Sequence, residues 1–164
     1  EVLIGEPDKA TAILDARAAA DPQDAEAQYL LGRLHYDKAE KTGSPEEMAV
    51  ARKAFLKAYK LAPGDAPNLH YLSLSQPPST PPNSTAVNAA VQASNLEPSV
   101  EEYAFHAAFL LIQTGDLDNA VSLLTPSASN PHDDKVAAKA RAIIASIKAV
   151  KSIDEILALL GDAS

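Results

Sequence analysis

The sequence predicts an all-α fold built of paired helices, and three observations support that prediction. Hydrophobic residues make up 46% of the 164 residues, yet 32 residues are alanine and only 5% are aromatic. Alanine is the best helix former and the smallest core side chain, so it favours closely packed helices over sheets rich in valine and isoleucine. Apolar residues also recur at offsets of three and four along much of the chain, which is the period of a helix face. Finally, prolines close successive segments at a nearly regular interval.

Residues 25–63 contain the clearest pair of predicted helices. The first helix includes Gly32, although glycine costs about 1 kcal/mol relative to alanine inside a helix. A missing side chain at this point lets another helix approach closely, which gives the glycine a packing role. The second helix places one large side chain between two small ones and is closed by a proline: Ala51, Phe55, Ala58 and Pro63.

The same spacing recurs on both sides of this segment. The closing prolines are Pro22, Pro63, Pro98 and Pro131, at separations of 41, 35 and 33 residues. The matching positions ahead of them are Ala10, Leu14 and Arg17, then Ala86, Ala90 and Ala93, then Ala120, Leu124 and Ser127. Because alanine is so common here, the register of the prolines is the stronger part of this pattern.

The Leu31-Gly32 pair, the four-residue step from Ala51 to Phe55 and the closing Pro63 resemble the tetratricopeptide repeat, whose period is about 34 residues. The resemblance covers residues 10–131 and implies an α-α superhelix, a solenoid of helical hairpins. The predicted organisation is one such array over residues 1–164. It divides into a partial repeat at 1–24, repeats at 25–65, 66–98 and 99–133, and C-terminal helices at 134–164.

Turn and capping signals predict where the earlier helices begin and end. A turn at residues 5–8 precedes a helix at about 7–20, and the turn after the helix at 25 is enlarged at residues 41–45. Ser44 begins a capping box with a proline at the first helical position. The third repeat is the most degraded, because its short first helix must end in the proline-rich loop at 76–83.

The later helices carry similar signals. Ser99 is expected to begin a capping box for the next helix, and Gly115 to end it. Pro126 departs from the family pattern, since it falls inside the following helix and should shorten or kink it. A helix at about 134–150 follows, and Ser152 caps a last amphipathic helix that ends at Gly161.

Charge and composition argue against several function classes. The net charge of -8 and pI near 4.9 argue against nucleic acid or an anionic membrane as the partner, because affinity for phosphates comes largely from lysine and arginine. The longest apolar run, residues 104–112, is broken by His106 and falls short of the roughly 20 residues of a membrane-spanning helix, so no membrane insertion is predicted. The absence of cysteine leaves the compartment open. The sequence begins inside a repeat, and we therefore expect it to be a piece of a longer chain.

No pattern in the sequence predicts catalysis, a cofactor or a metal. The four histidines lie far apart and none occurs in a metal-binding motif: His35, His70, His106 and His132. Paired carboxylates occur at four places, and each pair falls in the first turn of a predicted helix, where negative charge complements the helix dipole. We therefore predict a protein that is not an enzyme.

The predicted binding residues lie on a helix face that packing between repeats does not explain. Tyr29, Arg33 and Tyr36 follow one another at steps of four and three, on a face different from that of Leu31 and Gly32. The family resemblance implies that such inner-face positions contact a bound peptide. The candidates are Tyr29, Arg33, Tyr36, His70, Phe105 and Phe109. For the two phenylalanines, packing between neighbouring repeats is an equally good interpretation.

The predicted function is a non-catalytic interaction or scaffolding module that holds a peptide or a helix of a protein partner in its concave groove. Two alternatives stay open. The segment could be the C-terminal accessory region of a larger enzyme such as a peptidase, or a self-association module that forms a homo-oligomer.

Overall fold

A computed structural model describes residues 7–130, 133–149 and 152–161 of the chain. These residues form helices and connecting turns without any strand, and the all-α prediction is confirmed. The helices are α1 (Pro7–Ala20), α2 (Ala25–Thr42), α3 (Pro45–Leu61), α4 (Ala66–Leu74), α5 (Ser84–Leu96), α6 (Glu101–Gln113), α7 (Leu117–Ala128), α8 (Asp134–Lys148) and α9 (Ile153–Gly161). Pro131, His132 and the start of the predicted turn at residues 5–8 lie outside the described residues.

The helices belong to two compact units, and the boundary between them along the chain falls in the proline-rich loop. Unit 1, Glu1–Pro77, contains α1 to α4, and unit 2, Pro78–Ser164, contains α5 to α9. The predicted repeat at 66–98 therefore contributes α4 to the first unit and α5 to the second. The organisation of residues 1–164 as one repeat array stays a prediction.

In unit 1 the pairing of α2 with α3 depends on the contact that the sequence predicts at Gly32. A Cβ atom at Gly32 would lie 2.5 Å from both Cδ1 and Cε1 of Phe55, so the ring occupies the space of the missing side chain. Phe55 is fully buried, as is Ala51. Between the two helices Gly43 takes a left-handed φ of 69°, a conformation that glycine adopts without strain.

Most of the predicted helix caps are confirmed. The Ser44 hydroxyl caps α3 by accepting a hydrogen bond from Glu47 N at 3.2 Å. The return bond of the predicted capping box does not form, because Ser44 N donates to Thr42 Oγ1 and the Glu47 carboxylate pairs with Lys38 and His35. The Ser152 hydroxyl accepts from Glu155 N, while Ser152 N donates to the Glu155 carboxylate. The predicted capping box at Ser99 is wrong, because α6 begins one residue later, with Val100 at the N-cap position and no side-chain cap.

Unit 2 is built around the alanine-rich face of α6. This helix buries seven residues: Tyr103, Ala104, Ala107, Ala108, Leu110, Leu111 and Ile112. It ends just before Gly115, which has φ +80° and makes the predicted turn into α7. Pro126 lies in the last turn of α7, and the helix continues only to Ala128.

The last helix of unit 2, α9, packs against α6 as well as against the preceding helix α8. Helix α6 packs against α7, α7 against α8 and α8 against α9, and α9 in turn packs back against α6. The four helices α6 to α9 therefore close a ring of contacts. Across the described residues, no helix has the length and apolar character needed to cross a bilayer.

Candidate functional site

Helix α2 presents the first three predicted binding residues on one side. Tyr29, Arg33 and Tyr36 are separated by about one helical turn each, so their side chains line up along the helix axis. All three are half-buried. The N-cap Asp24 fixes the start of this helix, since its carboxylate accepts a hydrogen bond from Ala27 N at 2.9 Å.

A fourth side chain, Tyr71 of α4, completes the site. Its ring centroid lies 5.3 Å from that of Tyr36 in an edge-on arrangement and 6.4 Å from that of Tyr29. It also stacks on Phe55 at 5.8 Å. Aromatic pairs at these separations and angles attract each other beyond their buried area. We call Tyr29, Arg33, Tyr36 and Tyr71 the Arg33 patch.

Arg33 sits at the centre of the patch and is held by Tyr29 and Tyr71. Its guanidinium carbon lies 3.8 Å from the centroid of the Tyr71 ring, a close cation–π contact. Its Nη1 donates a hydrogen bond to the Tyr29 hydroxyl at 3.3 Å, and its Nη2 lies 3.9 Å from Asp37 Oδ1. Burial lowers the pKa of Arg33, but the Tyr29 hydrogen bond and the neighbouring groups outweigh burial and raise it overall. The patch therefore carries a permanent positive charge whose orientation is fixed.

Tyr36 closes the patch on the side toward the C-terminus of α2. Its burial, and then the charge of Glu40, raise the pKa of the phenol to about 12. Its ring centroid is 6.5 Å from that of Phe55, just as Tyr29 is 6.2 Å from the same ring. The two tyrosines thus touch the core residue Phe55 on one side while their remaining surface stays open to solvent.

The structure places His70 differently from the other predicted residues of unit 1. Its side chain is only 2% exposed, and its ring lies 5.4 Å from that of Tyr71 in an edge-on arrangement. His70 is therefore a buried residue that packs against Tyr71. The neighbouring Tyr71 takes the position beside Arg33. The sequence predicts His70 and not Tyr71 at this position, because the nine residues of α4 do not fix which of its faces turns toward α2. The available signal was that Tyr71 is the only tyrosine of that helix.

Phe105 and Phe109 lie on α6 in unit 2 and are half-buried. Phe105 packs against the core cluster that contains Ala108 and Leu111, and Lys139 Nζ lies 5.1 Å from its ring centroid. Phe109 packs against a separate cluster of α5 and α6 residues. Both rings therefore contribute to packing within unit 2, and the packing interpretation from the sequence accounts for these contacts.

A second polar group of unit 1 links α2 to the start of α3. Glu47 lies 2.5 Å from Lys38 Nζ and 2.6 Å from His35 Nδ1. Lys38 and then His35 hold the pKa of the Glu47 carboxyl below its usual range. His35 and Lys38 also line a cleft of about 440 Å³ between α1 and α2, whose other charged residues include Asp15 and Lys41.

Among the residues that the structure describes, no group of three or more His, Cys, Asp or Glu side chains could hold a metal ion. Three of the four carboxylate pairs lie in the first turn of a helix as the sequence predicts, and of the fourth pair only Asp134 does. Glu46 and Glu47 lie in the first turn of α3, Glu101 and Glu102 in that of α6 and Asp154 and Glu155 in that of α9, with Asp133 as the N-cap of α8.

Comparison with known proteins gives no family assignment. No protein-family model matches the chain, and no curated protein matches it.

Proposed function

We propose that this chain is a non-catalytic interaction module that binds a peptide or a helix of a protein partner, and that the Arg33 patch contacts it. The observation that carries the proposal is the fixed guanidinium of Arg33, 3.8 Å above Tyr71 and flanked by Tyr29 and Tyr36. Arginine and tyrosine are, with tryptophan, the residue types most enriched among those that dominate the binding energy of protein interfaces.

The chemistry of the patch indicates what the partner must supply. The tyrosine rings offer apolar surface with polar edges, which suits an aliphatic or aromatic side chain. Arg33 Nη2 lies 3.9 Å from Asp37, beyond hydrogen-bond distance, so it can donate to a carbonyl or carboxylate oxygen of the partner. Because the Arg33 rotamer is already held by Tyr29 and Tyr71, binding costs little side-chain entropy. We therefore expect a peptide with an apolar residue beside a carbonyl or acidic group.

Photo-crosslinking tests this proposal directly. In the full chain, Tyr36 is replaced by a photoreactive benzoylphenylalanine, and the protein is irradiated in the presence of a library of synthetic peptides. The captured peptides are identified by mass spectrometry. The matched control carries the same residue in place of Tyr59, which lies on α3 and is also half-buried. Peptides captured at position 36 and not at position 59 support the proposal.

The captured sequence, as a synthetic peptide, is then titrated by calorimetry against the unmodified chain and two variants. Arg33→Gln should weaken binding at least tenfold, the range expected for an arginine at the centre of an interface. Lys53→Gln, which removes an exposed positive charge from α3, should leave the affinity unchanged. Equal affinities for all three proteins would refute the role of the patch.

A further inference from the structure

The last helix of unit 2 lies on the side of α6 that bears Phe105. Ile156 of α9 is fully buried in a cluster that α6, α7 and α8 form together, and α6 contributes Ala108, Leu111 and Ile112 to it. Leu157 and Leu160 of α9 pack against the same cluster, as Phe105 does. The side of α6 that carries a predicted binding residue is therefore already covered by a helix.

A specific polar contact also holds the end of α9. Lys139 Nζ of α8 donates a hydrogen bond to the Leu160 carbonyl at 3.0 Å. The last carbonyls of a helix lack partners within the helix and carry partial negative charge, so an ammonium group at this point satisfies both needs. The same Nζ lies 5.1 Å from the Phe105 ring. This side of α6 thus combines an apolar surface with a cation that recognises a helix C-terminus.

The attachment of α9 is slight compared with that of its neighbours. It has nine residues, and Ile156 is the one fully buried side chain among those described in it, whereas α6 buries seven. Ile153 at its start is 41% exposed. A helix this short is not stable alone in water. When α9 separates from α6, it therefore unfolds at the same time.

We propose that the Phe105 side of α6 is a helix-binding site, occupied within the chain by α9, and that it accepts an amphipathic helix of a partner protein in its place. The partner helix carries aliphatic residues at the spacing of Ile156, Leu157 and Leu160 and ends beside Lys139. This inference rests on the proposed function, because it names the kind of ligand that the module takes and a second surface that takes it. The apparent affinity for the partner is then reduced by the fraction of molecules in which α9 is docked.

The test uses a peptide of residues 149–164 with a fluorescent label, titrated by anisotropy into three versions of the full chain. Ile156→Glu puts a charge into the apolar seat and releases α9, and this variant should bind the peptide at least tenfold more tightly than the unmodified chain. Ile153→Glu makes the same substitution three residues earlier, at an exposed position, and should bind like the unmodified chain. A peptide of scrambled sequence should bind none of them.

Amide hydrogen exchange on the unmodified chain gives a second measurement that needs no variant. The α9 amides should exchange at least tenfold faster than those of α6, since α9 leaves its seat without unfolding unit 2. Equal protection of the two helices would overturn the inference. So would equal peptide affinity of the two variants, or loss of helix beyond α9 in Ile156→Glu.

The two proposals fail separately. If position 36 captures partner peptides but Ile156→Glu and Ile153→Glu bind the labelled peptide alike, only the α9 inference is refuted. If no partner peptide is captured at position 36 while Ile156→Glu gains affinity, the Arg33 patch is refuted as the contact and the α6 site stands.

Discussion

Replacement of Gly32 by alanine tests the packing on which unit 1 depends. Alanine is a better helix former than glycine by about 1 kcal/mol, so Gly32→Ala should stabilise α2 if only the helix mattered. The new Cβ, however, would lie 2.5 Å from Cδ1 and Cε1 of Phe55 and 3.0 Å from its Cζ. Favourable carbon–carbon contacts lie at about 3.5–4.0 Å, so the ring would have to move by about 1 Å.

The Phe55 ring has little room to move. It is fully buried, and the rings of Tyr29, Tyr36 and Tyr71 lie around it at centroid distances of 6.2, 6.5 and 5.8 Å. Inserting a methyl group into such a site costs about 1–3 kcal/mol, and we place this site in the upper half of that range. After the gain in helix propensity, Gly32→Ala should lower the free energy of unfolding by about 1–2 kcal/mol.

Urea unfolding followed by tyrosine fluorescence measures this change. Four of the five tyrosines lie in unit 1, so the signal reports mainly on that unit. Gly64→Ala is the matched control, because nothing lies within 4 Å of a Cβ added at Gly64. Its free energy of unfolding should stay within about 0.5 kcal/mol of the original.

A second substitution separates the clash from other effects of alanine. In a Phe55→Leu background the smaller side chain leaves space for the methyl group, so the added cost of Gly32→Ala should fall by at least about 1 kcal/mol. A stabilisation of about 1 kcal/mol by Gly32→Ala in the original chain would refute the reasoning, because helix propensity would then be the only effect.

Two further predictions follow from the pKa shifts. The folded pKa of Tyr36, about 12, lies above the unfolded value of about 10, so its contribution to stability is complete below about pH 10 and is lost as the pH rises toward 12. The difference in tyrosinate absorbance between the original chain and Tyr36→Phe should therefore stay near zero up to about pH 10. A difference that already grows below that pH would contradict the burial argument. The folded pKa of Glu47 is lowered, so its contribution is present above the unfolded value of about 4.3 and is lost as the pH falls through the folded value. Lys38→Met removes the main cause of the lowered pKa, so the Glu47 carboxyl should titrate at a higher pH when followed by NMR. Lys53→Met is the control. An unchanged titration in Lys38→Met would exclude the ion pair as the cause of the shift.

Much of the local structure follows from the sequence. The α1 boundaries, the proline-rich loop and the caps at Ser44 and Ser152 are where turn and capping chemistry predicts them. Such signals work because each depends on groups within four residues of one another. The miss at Ser99 shows the limit. The chain there carries a capping sequence, yet α6 begins one residue later, and a boundary shift of that size is enough to leave the cap unused.

The candidate site was predictable only in part. The spacing of Tyr29, Arg33 and Tyr36 places them on one face of α2, and that follows from helix geometry alone. Helix geometry alone does not predict which residue of α4 lies beside Arg33. A shift of one residue turns a helix face by 100°, and a helix of nine residues has too few apolar positions to fix that angle. Packing against α2 and α3 decides it, and so His70 is buried while Tyr71 lies over Arg33.

The sequence by itself therefore determined the all-α class, most helix boundaries and the close contact at Gly32, because helix propensity, capping and the lack of a side chain are local properties. The tertiary structure alone decided which aromatic ring meets Arg33 and that α9 returns to α6. The amphipathic pattern of α9 shows that it must bury one face, but several helices of unit 2 offer apolar surface. Which of them receives α9 depends on how their side chains fit together in three dimensions, and no short-range pattern in the sequence encodes that choice.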